Sequence, residues 1–169
     1  MIKSLVASAR FPENGVVLQG QFQPKTGLTA VVGENGSGKT FLTIEAVRWL
    51  LYGKKALRGM ASDYKDAQVE GLLTIKGRDY QIRRGPKDSV TDAETDEVLA
   101  VGPEKTTEHI VELMGYGLDV FDICNAGLQG EAHRLGNMRP AERKALIDRV
   151  LRLLNVEQAE KACREEALG

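Results

Sequence analysis

The sequence predicts an α/β fold in which a phosphate-binding loop joins a buried strand to a buried helix. Three observations predict it. A short apolar run, Leu28–Val32, has the continuous character of a parallel strand covered on both faces. Directly after it, Gly33-Glu34-Asn35-Gly36-Ser37-Gly38-Lys39-Thr40 satisfies G-x-x-x-x-G-K-[ST], the P-loop or Walker A pattern. From Thr40 the pattern becomes helical, and FLTIEAVRWLLYG is apolar on most faces, as a largely buried helix must be.

The elements follow in order. IKSLVASA and VVLQGQF (Val16–Phe22) alternate as strands, with turn residues Pro12-Glu13-Asn14-Gly15 between them. Gly53 stops the P-loop helix, and Lys54-Lys55 follow at the negative end of its dipole. ALRGMASDYKDA has no period and reads as loop. AQVEGLLTIKGRDYQIRRG reads as a hairpin turning at Lys76-Gly77-Arg78-Asp79, which makes an antiparallel β subdomain. SVTDAETDEVLAV is a second, more exposed β excursion. Pro103 opens a helix whose apolar face is Ile110, Leu113 and Met114, and Gly115 ends it. LDVFDICNAGLQGEAHRLGNM is a short apolar piece and a glycine-rich loop. Pro140 starts a further helix with Leu146, Val150, Leu153 and Leu154 on one stripe. Val156, Ala159 and Cys163 continue a weak stripe to the end.

The chemistry sits in the P-loop. Its glycines let the backbone turn tightly, so that successive N–H groups face an anion that the following helix N-terminus also attracts. Asn35, Gly36, Ser37, Gly38, Lys39, Thr40 and Phe41 are the residues expected around the phosphates of ATP. Lys39 is expected to reach the β- and γ-phosphates, and Thr40 to place its hydroxyl on Mg²⁺. Hydrolysis also needs a carboxylate for the metal and a group that positions water. The nearest apolar run ending in an acid is LDVFD at Asp122, and Asp119 interrupts it. A Walker B element and an LSGGQ-like segment are therefore expected to be missing from this chain.

Composition bounds the rest. Of 169 residues, 42% are hydrophobic and 28% charged, which fits one globular domain with a sizeable core and argues against disorder. The net charge of −1 gives no bulk attraction to nucleic acid, so any DNA contact must be local. Two basic stretches qualify: Arg134, Arg139, Arg143, Lys144, Arg149 and Arg152, and Lys54, Lys55 and Arg58; each reads equally as a solvated face. No apolar run approaches the ~18 residues of a membrane helix. The start, MIKSLVASARFPENG, has no long apolar core, so no signal peptide is expected. Cys124 and Cys163 match no metal spacing and read as reduced thiols of a cytoplasmic protein. His109 and His133 read as solvated and loop residues, and Trp49 as a packing residue.

VVGENGSGKTFLTIEAVRWLLYGK, DYQIRRG and GLQGEAHRLGNMRPAERKALIDRVLRLLNVEQAEK, in this order, resemble the SMC-type ATPase heads of double-strand-break repair nucleases of the SbcC type. The large subunit of the phage recombination endonuclease group is especially similar. The resemblance implies an ABC-type ATPase head whose N-terminal lobe spans residues 1–154, with residues 155–169 as the root of a coiled-coil helix. It implies that a C-terminal lobe of the same polypeptide supplies Walker B and the signature motif. It further implies an ATP-dependent dimer with a second copy of the head, an SbcD-type nuclease partner, and DNA. By this resemblance Gln129 is the catalytic Q-loop glutamine, which helps hold Mg²⁺ and the attacking water. An amide suits that role, because it accepts and donates without adding charge. The same resemblance makes Arg10 a nucleotide contact. Here Arg10 precedes Phe11, whereas the family order is Phe-Arg, and one residue turns a strand side chain to the other face.

The expected function is thus ATP binding and hydrolysis that controls a nuclease on DNA ends, with this chain inactive alone. Two alternatives stand beside it. One is a structural SMC-type organiser of DNA. The other is a self-sufficient P-loop phosphotransferase, with Arg78, Arg83 and Arg84 as candidate lid arginines.

Overall fold

Alternation of small and branched apolar residues makes Ile2–Arg10 a strand (β1), and Val17–Phe22 (β2) returns antiparallel beside it. A computed structural model describes residues 1–10, 17–57, 65–126 and 134–150. Lys65–Ile75 (β3) and Arg78–Arg84 (β4) form the expected hairpin. Its turn is tighter than the sequence suggested: only Lys76 and Gly77 leave the ladder, with φ of 50° and 84°. Positive φ at both positions is what a two-residue hairpin turn requires. Ser89–Asp92 (β5) and Val98–Val101 (β6) add a second hairpin. All pairings are antiparallel, and the order is β2-β1-β3-β4-β5-β6.

The contacts divide the chain after Gly115. In the first unit, period-two alternation separates the two faces of the sheet. Leu5 and Ala7 of β1, Val69 and Leu73 of β3, Ile82 of β4 and Val90 of β5 are buried on one face. Two helices pack on the sheet: Ala46–Tyr52 (α1), which continues the P-loop, and Pro103–Met114 (α2). Every residue of α1 is buried, as its apolar sequence demands, Arg48 included. Gly71 lets α1 approach, since a Cβ there would lie 2.5 Å from Leu50 Cδ2. Gly115, at φ 80° and ψ 12°, ends α2 in the left-handed conformation. The β5–β6 excursion is less exposed than expected, because Val90 and Asp92 turn inward.

Two expectations are corrected. Leu28–Val32 is not a buried parallel strand. It is extended, pairs with no strand among the described residues, and leaves Leu28 and Val32 exposed. Its apolar run encodes burial, but no described strand lies beside it to provide that burial. His109 is not a solvated residue. It is half-buried on α2, and its Nε2 is shielded from solvent.

In the second unit, Leu118–Cys124 (α3), Arg134–Asn137 (α4) and Pro140–Val150 (α5) are helical, and α3 packs on α5. Leu146 is the buried residue of the α5 stripe, while Arg139, Arg143 and Lys144 are exposed. Glu142 Oε2 accepts from the Arg139 N–H (3.2 Å) and so satisfies a donor at the start of α5. No helix among the described residues is long and apolar enough to cross a membrane.

Candidate nucleotide-binding site

Gly33–Thr40 forms a loop that turns back on itself before the helix begins. Gly36 and Gly38 both take φ of 82°, a conformation that side chains with a Cβ rarely adopt. The Ser37 N–H donates to Glu34 O (3.3 Å), which closes the turn. The Leu42 N–H donates to Gly38 O (3.0 Å), and the Thr43 hydroxyl donates to Lys39 O (2.8 Å), which starts the helix. Amides in the first turn of a helix have no intrahelical acceptor and are available to an anion.

Lys39 lies across this loop. Its Nζ donates to Gly33 O (2.6 Å) and to Glu34 O, and sits 3.4 Å from Ser37 Oγ. A Cβ on Gly33 would lie 3.1 Å from Ser37 Oγ, so the first glycine is needed for closure. The Lys39 ammonium is thus folded onto the carbonyls of the loop it follows, and a lysine beside a glycine-rich turn at a helix start is the kind of donor set a polyphosphate needs. Thr40 begins the helix with an exposed side chain that forms no capping bond. A threonine hydroxyl is a hard oxygen, the donor type that suits Mg²⁺ bound mainly through nucleotide phosphates. No group of three His, Cys, Asp or Glu residues among the described residues is arranged to hold a metal.

Downstream of the loop the helix opens into a π-helical turn over Phe41–Glu45 and then continues as α1. Glu45 and Arg48, which the sequence placed on one side, form a buried ion pair at 3.1 Å. The far end of α1 is tied down by Arg84. The Arg84 side chain is 0% exposed. Its Nε donates to Leu50 O (3.0 Å) and its Nη2 to Leu51 O (3.1 Å). Nη1 donates to Asp88 Oδ2 (3.0 Å) and Pro103 O (3.1 Å). Burial lowers the Arg84 pKa and the Asp88 carboxylate opposes that shift. One guanidinium thus caps the P-loop helix and joins it to the start of α2.

The structure brings Asn35 to Phe41 together around one loop. Arg10 belongs to a different element, β1. It is exposed at the end of β1 and pairs with Val17, one residue from the inward-facing Leu18. Alternation therefore places it with Val17 on the face away from the P-loop helix. Gln129 and His133 lie outside the described residues. Asp122 lies within α3 and not at the end of a strand, so it is not placed as a Walker B carboxylate. The candidate lid arginines are strand residues: Arg84 is the buried clamp, and Arg83 pairs with Glu70 at 3.1 Å. Sequence reasoning passed over Leu18 and Gly20 of β2, which touch the loop and its helix. The available signal was a glycine inside an alternating strand.

Residues 16–113 match the family model described as AAA domain, more than half of the 169 residues. The chain belongs to the AAA domain family. Within it, the chain is 28% identical over 144 residues to a DNA double-strand break repair Rad50 ATPase of Thermoplasma volcanium, which covers 78% of this chain. It is likewise 28% identical over 145 residues, 79% of this chain, to a protein of the same description from Thermoplasma acidophilum. The chain spans 16% of the length of either relative. The family match and these relatives identify an N-terminal region of the SbcC/Rad50-like, SMC-type ATPases, as the resemblance read from the sequence implied.

Proposed function

We propose that this chain is the ATP-binding part of a DNA double-strand-break repair ATPase of the SbcC/Rad50 type. The observation that carries the reading is the Gly33–Thr40 loop, turned at Gly36 and Gly38 and crossed by Lys39, whose Nζ lies 2.6 Å from Gly33 O. In this reading the loop amides and Lys39 bind the β- and γ-phosphates, and they stabilise the charge that builds as the γ-phosphate leaves. Thr40 holds Mg²⁺ together with Gln129, and the metal neutralises phosphate charge. Gln129 orients the attacking water. The polar loop thus supplies positioning and charge, while the buried α1 fixes its orientation.

Completion by a further lobe of the same polypeptide is supported by Leu28–Val32. This exposed apolar segment directly before a P-loop has no neighbouring strand among the described residues to bury it. A second lobe would provide those strands and the missing carboxylate, and ATP would then clamp two such heads. Control of an SbcD-type nuclease and contact with DNA through the exposed Arg139, Arg143 and Lys144 belong to the same reading. A self-sufficient phosphotransferase is disfavoured, because Arg83 and Arg84 are held in the sheet.

The test is steady-state ATP hydrolysis and equilibrium ATP binding by the 169-residue chain, with Lys39→Ala as control. Measurable Lys39-dependent binding without Lys39-dependent turnover is expected. Turnover that Lys39→Ala abolishes would mean that the chain carries its own metal carboxylate and is a complete enzyme.

A further inference from the structure

Strand β2 touches the phosphate loop through two reciprocal contacts. A Cβ on Gly38, the last glycine of the loop, would lie 2.9 Å from Leu18 Cδ1 and 3.1 Å from Leu18 Cδ2. A Cβ on Gly20 would lie 2.9 Å from Leu42 Cδ2. Leu18 and Gly20 are two apart on β2 and share one face. Gly38 and Leu42 are one helical turn apart and are joined by the Leu42 N–H to Gly38 O bond of 3.0 Å. Each segment therefore offers one leucine and one glycine, and each leucine seats on the other segment's glycine. Such a pair of contacts resists both sliding and lifting, whereas a single contact would leave one of them free.

We propose that Leu18 and Gly20 are positioning residues for nucleotide binding: β2 is a stop that fixes where the phosphate loop and the first turn of its helix sit against the sheet. This rests on the reading that the loop binds nucleotide phosphate. Leu18 fills the space where a Gly38 Cβ would stand, and the φ of 82° at Gly38 is one that residues with a Cβ rarely adopt, so glycine is required there on both counts. A strand glycine gives up side-chain packing and backbone stability, and here the site it vacates is filled by Leu42. Among the described residues β2 is the end strand of the sheet, with β1 beside it.

Two measurements on the full chain test this, one of them independent of nucleotide. In the nucleotide-free chain, ¹⁵N relaxation should show Gly36, Ser37 and Gly38 amides near the order parameter of about 0.85 of rigid backbone, falling below about 0.6 in Leu18→Ala. Leu18→Met, which conserves volume, should keep the wild-type values. For Mg-ATP titrated against the chain, Gly20→Val should raise Kd about tenfold by ejecting Leu42, and adding Leu42→Ala should restore it to within about threefold. Unchanged order parameters in Leu18→Ala would overturn the proposal. So would a Gly20→Val/Leu42→Ala chain that binds no better than Gly20→Val. A wild-type chain that binds no ATP, but whose loop still loosens in Leu18→Ala, would overturn the nucleotide reading and leave the stop standing.

Discussion

The two ends of the P-loop helix are built on opposite principles. Its N-terminal end is a loop of glycines and polar residues, preceded by an apolar segment that no described strand covers. Its C-terminal end is enclosed, with Trp49 at 1% exposure and the last carbonyls bonded to a buried guanidinium. Carbonyls at a helix C-terminus carry partial negative charge, and a cation there is favoured; the N–H groups at the other end stay open to an anion. The difference teaches a division of labour. One end fixes the helix to the sheet, and the other is left to the ligand.

If that division holds, stability and nucleotide affinity should respond separately to mutation. The largest effect on stability is expected from Arg84→Met, which leaves Asp88 and three carbonyls without their buried donor. It should cost about 3–5 kcal/mol in urea unfolding, while ATP affinity of the folded fraction changes little. Gly71→Ala comes next. Its Cβ meets the fully buried Leu50 at 2.5 Å, and overpacking of this kind costs about 1–3 kcal/mol. Loss of ATP affinity in Gly71→Ala larger than its loss of stability would show that the two ends are not separate.

Acid should act on the sheet and spare the contrast. The Lys3 ammonium holds the Asp79 carboxyl below the usual carboxylate range, and Thr74 adds to this. The backbone N–H groups of Glu94 and Thr95 do the same for Asp92. A carboxyl that is more acidic in the folded state stabilises fully above its unfolded pKa and loses that contribution as pH falls through the folded value. Melting temperature should therefore be steady down to about pH 5 and decline below it. Asp92→Asn should flatten that decline. The smallest effect on stability is expected for Lys39→Ala, within about 0.5 kcal/mol, since a loop lysine contributes little to the core. The same variant should lose ATP binding, the mirror image of Arg84→Met.

What the sequence made legible was local. GENGSGKT specifies its loop through two positive φ angles, and the Lys76-Gly77 turn and the Pro103 and Gly115 helix ends are likewise written in neighbouring residues. What stayed hidden was non-local. Nothing near Ile2–Arg10 indicates that β3 pairs beside it across more than fifty residues. The burial of Arg84 depends on carbonyls of Leu50 and Leu51, more than thirty positions away. Leu28–Val32 shows the opposite failure: its apolar pattern predicts a buried strand, yet Leu28 and Val32 are exposed and no described strand pairs with it, because a local pattern does not name its partner.

The strand order also sets a schedule for synthesis. β1 lies between β2 and β3, and β3 ends at Ile75. At the usual 5–20 residues per second, a ribosome needs about 1–5 s to pass from the end of the P-loop helix at Tyr52 to the end of β3. Through that interval the apolar P-loop helix has been made, yet the sheet surface that will cover it is incomplete. The nascent chain must carry its most hydrophobic segment uncovered for seconds, and this is the window in which a chaperone would matter most to its yield.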